Sequence, residues 1–391
     1  MLPAALGYRM PAEWEPHAAT WLAWPHYHAD WPGKFEPVPW VYAEIIRHLA
    51  AHERIDLIVK NAASARQARR VLERAEAWSA NIRLHRWPTN RVWLRDSGCI
   101  FLTPTHAGTG VRTDSPSAAH PQLPGSLARV NSCPSLLALK FRFNAWAKYS
   151  NWRFDDKLGS LMANAVIPTL RGARRVGHPR AGRAHEIHPV SVGRRIVLEG
   201  GSIDVNGAGT VLTTEECLLS KVQERNPHMT RVHYEKMFAD YLGAPHTVWL
   251  GRGIAGDDTH GHVDDLARFV AKDTIVTMVE PNSKDENHGP LRANLRRLQS
   301  ARDLNGKQFT IVEIPMPQPV VFEGRRLPAS YANFYIADGV VLIPVFNRAN
   351  DRIALNTLAQ VFPKREIIPI YSGDFIWGLG AMHCMTQQQP A

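Results

Sequence analysis

One pattern of alternating and helical hydrophobicity recurs along this chain, and a repeated supersecondary unit constrains a fold more tightly than any single motif. Residues 332–336 and 340–343 read as two strands around the tight Asp338-Gly339 turn. Residues 350–362 then carry Ile353, Leu355, Leu358, Ala359 and Val361 near helical spacing, stop at Pro363 and hand over to the apolar run 367–370. The unit is β-β-α-β. The same order is expected with strands at 199–205 and 210–213 around Asn206-Gly207, a helix near 231–242 and a strand at 247–250. It is expected again with strands at 262–270 and 274–279, a helix at 291–302 and a strand at 309–314. A more distorted copy has strands at 92–102 and 137–143, separated by a Ser/Pro/Gly-rich stretch at 104–134 that is too long for an ordinary hairpin and reads as an inserted surface loop. A fifth copy would join the two ends of the sequence, placing a strand that carries Cys384 beside the N-terminal region with a helix at 42–51 and a strand at 55–59. Copies alike in pattern only predict a closed α/β ring over residues 1–391, one domain rather than two.

In such a ring equivalent positions converge on the axis. Asp96, Glu199, His262 and Cys384 each fall near the opening strand of their copy, and Asn333 does so in the remaining one. Residues two apart on a strand share a face, so His262 and Asp264 would both look inward while Val263 packs outward. By the same rule His383 should point away from the axis.

A free thiol needs a nearby cation or base to attack as thiolate at neutral pH, and carboxylates around it would raise its pKa. The set therefore makes sense when positive charge arrives with the ligand. The planar cation whose N–H pairs match paired carboxylates is guanidinium, and its carbon is then the electrophile. The residues predict that Asp96 and Asp264 clamp the nitrogens, Cys384 attacks the carbon, and His262 protonates the departing ammonia before activating water. Glu199 would orient His262 or hold another guanidinium N–H. Trp93, which adjoins Arg95-Asp96, is the foremost of the tryptophans Trp14, Trp21, Trp24, Trp93 and Trp152 that could face a second cation.

Charge and cysteine content narrow the alternatives. The net charge of +10 comes mostly from residues 171–195, where seven arginines meet only Glu186 without interleaved aromatics, so a solvated loop is expected rather than a nucleic-acid surface. Cys99, Cys133, Cys217 and Cys384 lie far apart with no Cys-X-X-Cys pair, which indicates neither a disulfide framework nor a zinc site and fits a reducing compartment. With no apolar stretch of about 18 residues and no signal-like opening, a cytoplasmic protein that does not enter membranes is expected.

The segments Met10-Pro11-Ala12-Glu13-Trp14-Glu15-Pro16-His17, Trp93-Leu94-Arg95-Asp96-Ser97-Gly98, Leu198-Glu199-Gly200-Gly201, Gly261-His262-Val263-Asp264, Tyr331-Ala332-Asn333-Phe334-Tyr335 and His383-Cys384-Met385-Thr386-Gln387-Gln388-Gln389-Pro390 resemble the agmatine deiminases of the bacterial peptidyl-arginine deiminase family. The resemblance runs from one end of the chain to the other. It implies a pentein fold, a fivefold pseudosymmetric α/β propeller of ββαβ units, with hydrolysis of agmatine to N-carbamoylputrescine and ammonia. No metal or organic cofactor is implied, and homo-oligomers are. The motifs place the nucleophile on Cys384, the general acid/base on His262, the guanidinium-holding carboxylates on Asp96 and Asp264, and a supporting acid on Glu199, with Trp93 and Asn333 as further substrate contacts.

Some positions depart from the pattern. The usual Gly-Gly-Gly-Asn-Ile-His-Cys approach to the nucleophile is here Gly378-Leu379-Gly380-Ala381-Met382-His383-Cys384, which loses one glycine's freedom. Cys99 stands where proline is expected, and 104–134 and 171–188 look like insertions. Two other readings stay open: a deiminase of free or peptidyl arginine or an amidinotransferase on the same residues, and a non-catalytic binding ring.

Overall fold

Each of the five expected copies forms a sheet of its own in the computed structural model, which describes residues 2–105, 136–166 and 186–391. In one, Ile203–Val205 pairs antiparallel with Thr210–Thr214, helix Arg231–Met237 and its continuation Phe238–Leu242 cross over, and His246–Leu250 returns parallel. Ala267–Ala271, Thr274–Val279, helix His288–Ser300 and Thr310–Pro315 repeat the order. So do Tyr335–Ile336, Val340–Val345, helix Asp351–Val361 and Glu366–Tyr371. The distorted copy is Ile100–Pro104, Leu137–Leu139, helix Asp155–Val166 and Glu186–Ile187. Parallel neighbours require a crossover, and in every copy the helix supplies it. The fold is a pentein.

The copy built from both ends of the sequence forms as expected. Gln387–Pro390 lies antiparallel to His17–Ala23, with Trp21 opposite Gln387 and His17 opposite Pro390, and helix Val38–Ala50 leads to Arg54–Val59 in parallel. The helix buries Val38, Tyr42, Ile45, Ile46 and Leu49, the stripe that helical spacing predicts. Two additions were not foreseen: helix Ala62–Arg74 with strand Ile82–Arg86 extends this sheet, and Tyr8–Arg9 extends the distorted one. The loop expected at 104–134 and the arginine-rich segment at 171–188 lie, apart from their outermost residues, outside the described residues. Among the described residues no helix is long and apolar enough to cross a membrane.

The opening strands begin later than their hydrophobic patterns suggest. Residues 199–202 and 262–266 are single helical turns, with Ser202 N donating to Glu199 O and Leu266 N to Val263 O, so extended pairing starts only at Ile203 and Ala267. Leu94–Ser97 and Met382–Met385 are turns of the same kind. The inward residues therefore sit on tight turns at the mouth of each sheet. Strand alternation does not apply there, which corrects the expected reason for the convergence of His262 and Asp264.

What ties the copies together at the centre is one carboxylate. Glu13 Oε1 accepts from Arg268 Nη2 at 2.9 Å and Ile336 N at 2.9 Å, while Oε2 accepts from Arg95 Nη2 at 3.1 Å and faces His383 Nε2 at 2.8 Å. Arg268 reaches on to Asp204 Oδ1 at 3.1 Å and Phe334 O at 2.9 Å, and Arg95 to Gln388 Oε1 at 2.6 Å. Burial alone would push the Glu13 carboxyl up, but the charges of Arg268, His383 and Arg95 outweigh it and hold the group well below the ordinary carboxylate range. Removing one partner of a buried ionic network strands the others at a cost of about 3–5 kcal/mol. Glu13→Gln is expected to lose about that much in urea unfolding, and a loss below about 1 kcal/mol would show that the network does not hold the ring.

Candidate active site

Cys384 lies on the Met382–Met385 turn, which comes after a sharp bend at Leu379. Leu379 has φ +68°, the left-handed region that glycine adopts freely and other residues at a cost of about 1–3 kcal/mol. This is a position where a glycine was expected, so the substitution falls on a residue that carries strain. Asn333 fixes the nucleophile turn: its Oδ1 accepts from His383 N at 3.0 Å and Cys384 N at 3.3 Å, and its Nδ2 donates to Cys384 Sγ at 3.1 Å and Asp265 Oδ1 at 2.9 Å. The amide, expected to meet substrate, is taken up by this loop.

Cys384 Sγ stands 3.6 Å from Asp264 Oδ2, which also meets His383 Nδ1 at 2.7 Å, leaving Asp264 Oδ1 wholly buried without a partner. Asp96 takes Trp146 Nε1 on Oδ2 at 2.9 Å and Gly201 N on Oδ1 at 3.0 Å. His262 Nδ1 is 3.9 Å from both Asp96 Oδ1 and Asp264 Oδ1, and Nε2 is 4.0 Å from Glu199 Oε2. Arg225 Nε holds the other Glu199 oxygen at 3.1 Å. Gly201 is required by space: a Cβ there would stand 2.5 Å from His262 Nδ1 and 2.9 Å from Asp264 Oδ2. All five residues proposed from the sequence thus meet in one buried well.

His383 does not point away. Because residues 382–385 form a helical turn, its ring swings inward and bridges two carboxylates, Asp264 and Glu13. Sequence reasoning also missed Trp146, Asp265 and Arg225, which carry no local signature. Of the five tryptophans named from the sequence, Trp93 lines the cleft above Cys384, while Trp21 and Trp24 are core residues. Trp146 and Trp377 complete the aromatic wall instead. The cleft holds about 140 Å³ and has Asp30, Arg91, Asp258 and Arg325 on its sides. Cys99 is buried with its thiol pushed up by that burial, a packing role.

The well is electrostatically poised against a bare thiolate. Burial, with Asp264, Asp265 and Asp96 adding to it, pushes the Cys384 thiol well above its ordinary range against the Asn333 hydrogen bond. Burial raises Asp96 to about 6, helped by Glu199 and Asp264 against His262. Burial pulls His262 down, but Asp96, then Cys217 and Asp264, raise it well above the usual histidine range. Asp264 is held below its ordinary value, burial being outweighed by His383, His262 and Arg268, while its neighbour Asp265 is pushed well up by burial and by Asp264 itself.

A thiol, an imidazole and convergent carboxylates at the centre of a fivefold α/β ring define the cysteine-dependent pentein class. The chain belongs to the Porphyromonas-type peptidyl-arginine deiminase family, whose model matches residues 9–390. It is 30% identical over 412 residues to an agmatine deiminase of Pseudomonas aeruginosa (strain UCBPP-PA14), covering 100% of this chain and 97% of the relative. Its structure is similar to that of an agmatine deiminase of Enterococcus faecalis, with TM-score 0.80, 25% identity and coverage of 100% and 97%. It is also similar to a substrate-bound agmatine deiminase of C. jejuni, with TM-score 0.77, 25% identity and coverage of 98% and 96%.

The raised Cys384 thiol makes a direct prediction. In the free protein its alkylation by iodoacetamide, measured by mass spectrometry of the labelled peptide, is expected still to accelerate above the ordinary thiol pKa of about 8.5. A rate that levels off at or below that pH would contradict these electrostatics.

Proposed function

We propose that the protein is an agmatine deiminase, hydrolysing the guanidinium of agmatine to N-carbamoylputrescine and ammonia. One observation carries the reading: Cys384 is buried beside Asp264, Asp265 and Asp96, burial and those carboxylates together push its thiol up, and Asp264 Oδ1 waits among them without a partner. Asp96 and Asp264 receive the guanidinium nitrogens, and the incoming charge offsets the cost of ionising Cys384. The Cys384 thiol releases its proton to solvent as the guanidinium binds, the thiolate adds to the guanidinium carbon, and His262 gives its own proton to the departing nitrogen as ammonia leaves. The resulting thiouronium is attacked by water, whose proton His262 takes, and collapse of the adduct breaks the C–S bond and returns the thiolate.

Glu199, pinned by Arg225, orients His262, and Asn333 and His383 hold the nucleophile and Asp264 in place. Trp93, Trp146 and Trp377 flank the aliphatic chain, and Asp30 and Asp258 give the cleft negative charge for the amine. The names of the relatives support the same substrate, and buried free thiols at Cys99, Cys217 and Cys384 support action in the reducing cytoplasm. A deiminase of free or peptidyl arginine is the second reading, favoured by Arg325, which stands at the cleft over the Trp377 ring where a carboxylate could meet it.

Ammonia release from agmatine, arginine and an arginine-containing peptide tests the assignment. Wild type is expected to prefer agmatine and Cys384→Ala to release none; a preference for arginine would transfer the assignment to the second reading. Because the guanidinium needs anionic Asp96, kcat/KM for agmatine is expected to fall as pH drops through about 6. Asp96→Asn should lower kcat/KM by about 10- to 100-fold and remove that acid limb. Persistence of the limb in Asp96→Asn would assign it to another group.

A further inference from the structure

Beside His262 and Glu199 lies a chemical group that the proposed reaction does not use. Cys217 is buried on the turn Glu215–Leu219, which Thr214 caps through its side chain. One ligating atom from each of Glu199, Cys217 and His262 lies within 4.8 Å of the others. His262 Nε2 and Glu199 Oε2 face one another at 4.0 Å, and both are wholly buried without a hydrogen-bond partner. Buried polar atoms are rarely left so, and two that converge beside a thiol mark the place of a missing partner.

The donor set names that partner's chemistry. An imidazole nitrogen, a thiolate and a carboxylate oxygen suit a borderline-soft divalent cation such as zinc or cobalt, whereas Mg²⁺ and Ca²⁺ prefer all-oxygen sites. Zinc bonds of about 2.0–2.3 Å imply ligand-to-ligand edges of about 3.3–3.8 Å, so the present gaps close with side-chain shifts of about 1 Å or less. The surroundings supply the outer support that metal ligands require: Arg225 Nε fixes the second oxygen of Glu199, and His262 Nδ1 faces Asp96 and Asp264. Sequence spacing hides the group, because its members come from three different turns of two sheets.

We propose that Glu199, Cys217 and His262 form an inhibitory site for zinc or a like cation. Binding forms three metal–ligand bonds and releases to solvent the thiol proton of Cys217 and the Nε2 proton of His262. It ties up the imidazole that must carry protons, yet leaves the Asp96 and Asp264 carboxylates open to the guanidinium. Inhibition therefore falls on kcat, with KM little changed.

The test uses the full-length protein and two readouts. In Cys384→Ala, which removes the nucleophile as a competing ligand, added Co²⁺ is expected to give a thiolate-to-cobalt charge-transfer band in the near ultraviolet. Cys384→Ala combined with Cys217→Ser should lack the band, and Cys217→Ala in place of Cys217→Ser provides a second variant should the first fail to fold. With agmatine as substrate, Zn²⁺ is expected to lower kcat of the wild type, and Cys217→Ser to need at least about tenfold more metal for the same effect. No cobalt band in Cys384→Ala, a band that survives loss of Cys217, or zinc inhibition that competes with agmatine would each overturn the site. The spectral readout does not depend on the substrate, so its failure is distinguishable from failure of the proposed function.

Discussion

The Glu13 carboxylate is the constraint on which the rest of the molecule depends. It sits where the sheets meet, and without it the buried guanidinium groups of Arg95 and Arg268 and the ring of His383 would lose the carboxylate they share. With the Ile336 N–H, from which Glu13 also accepts, these come from different stretches of chain, so satisfying one carboxylate fixes the relative placement of the end-joining sheet and three others. Apolar packing alone does not specify register so narrowly: large clusters of buried Leu, Ile, Val and aromatic residues can slide, whereas a four-way ionic junction with directional bonds cannot. The same junction orients His383, and His383 orients Asp264, so the centre of the fold and the rim of the reactive well are one continuous network.

That continuity explains why the well can hold so many acids. Asp96, Glu199, Asp264 and Asp265 surround a thiol and an imidazole within a space largely closed to water, an arrangement whose self-repulsion would be prohibitive in isolation. Two devices relieve it. Counter-charges stand one layer back, Arg225 behind Glu199 and the Glu13 junction behind Asp264, and one acid of the adjacent pair, Asp265, is driven toward its neutral form. What remains is a site short of positive charge at the point where a planar cation fits. Selectivity then comes before chemistry: a neutral molecule of similar shape would bring no charge to offset ionisation of the sulfur.

Much of this was legible in the sequence. The β-β-α-β order could be read from Asp338-Gly339, from the spacing of Leu355 and Leu358 and from the stop at Pro363, because turns and helices are written locally. The five inward residues could be read because their positions repeat relative to those units. What could not be read was set by geometry at the mouths of the sheets. The turn at Met382–Met385 replaced an expected strand and reversed the direction of His383, and the early part of the 262–270 pattern became a turn because its backbone groups bond locally. Trp146, Arg225 and Cys217 carry no signature at all: each is an ordinary residue until the ring closes and brings it beside Asp96, Glu199 or His262.

The pairing of His17–Ala23 with Gln387–Pro390 has a consequence for how the protein is made. The contact between Trp21 and Gln389 spans 368 residues, so although the strands within residues 17–86 can pair early, the ring cannot close through this sheet until residues 387–390 are in place. The sulfur at position 384 lies just ahead of that late segment. The sheets between can assemble from nearer neighbours, and the well around Cys384 is complete only once this distant pairing has formed.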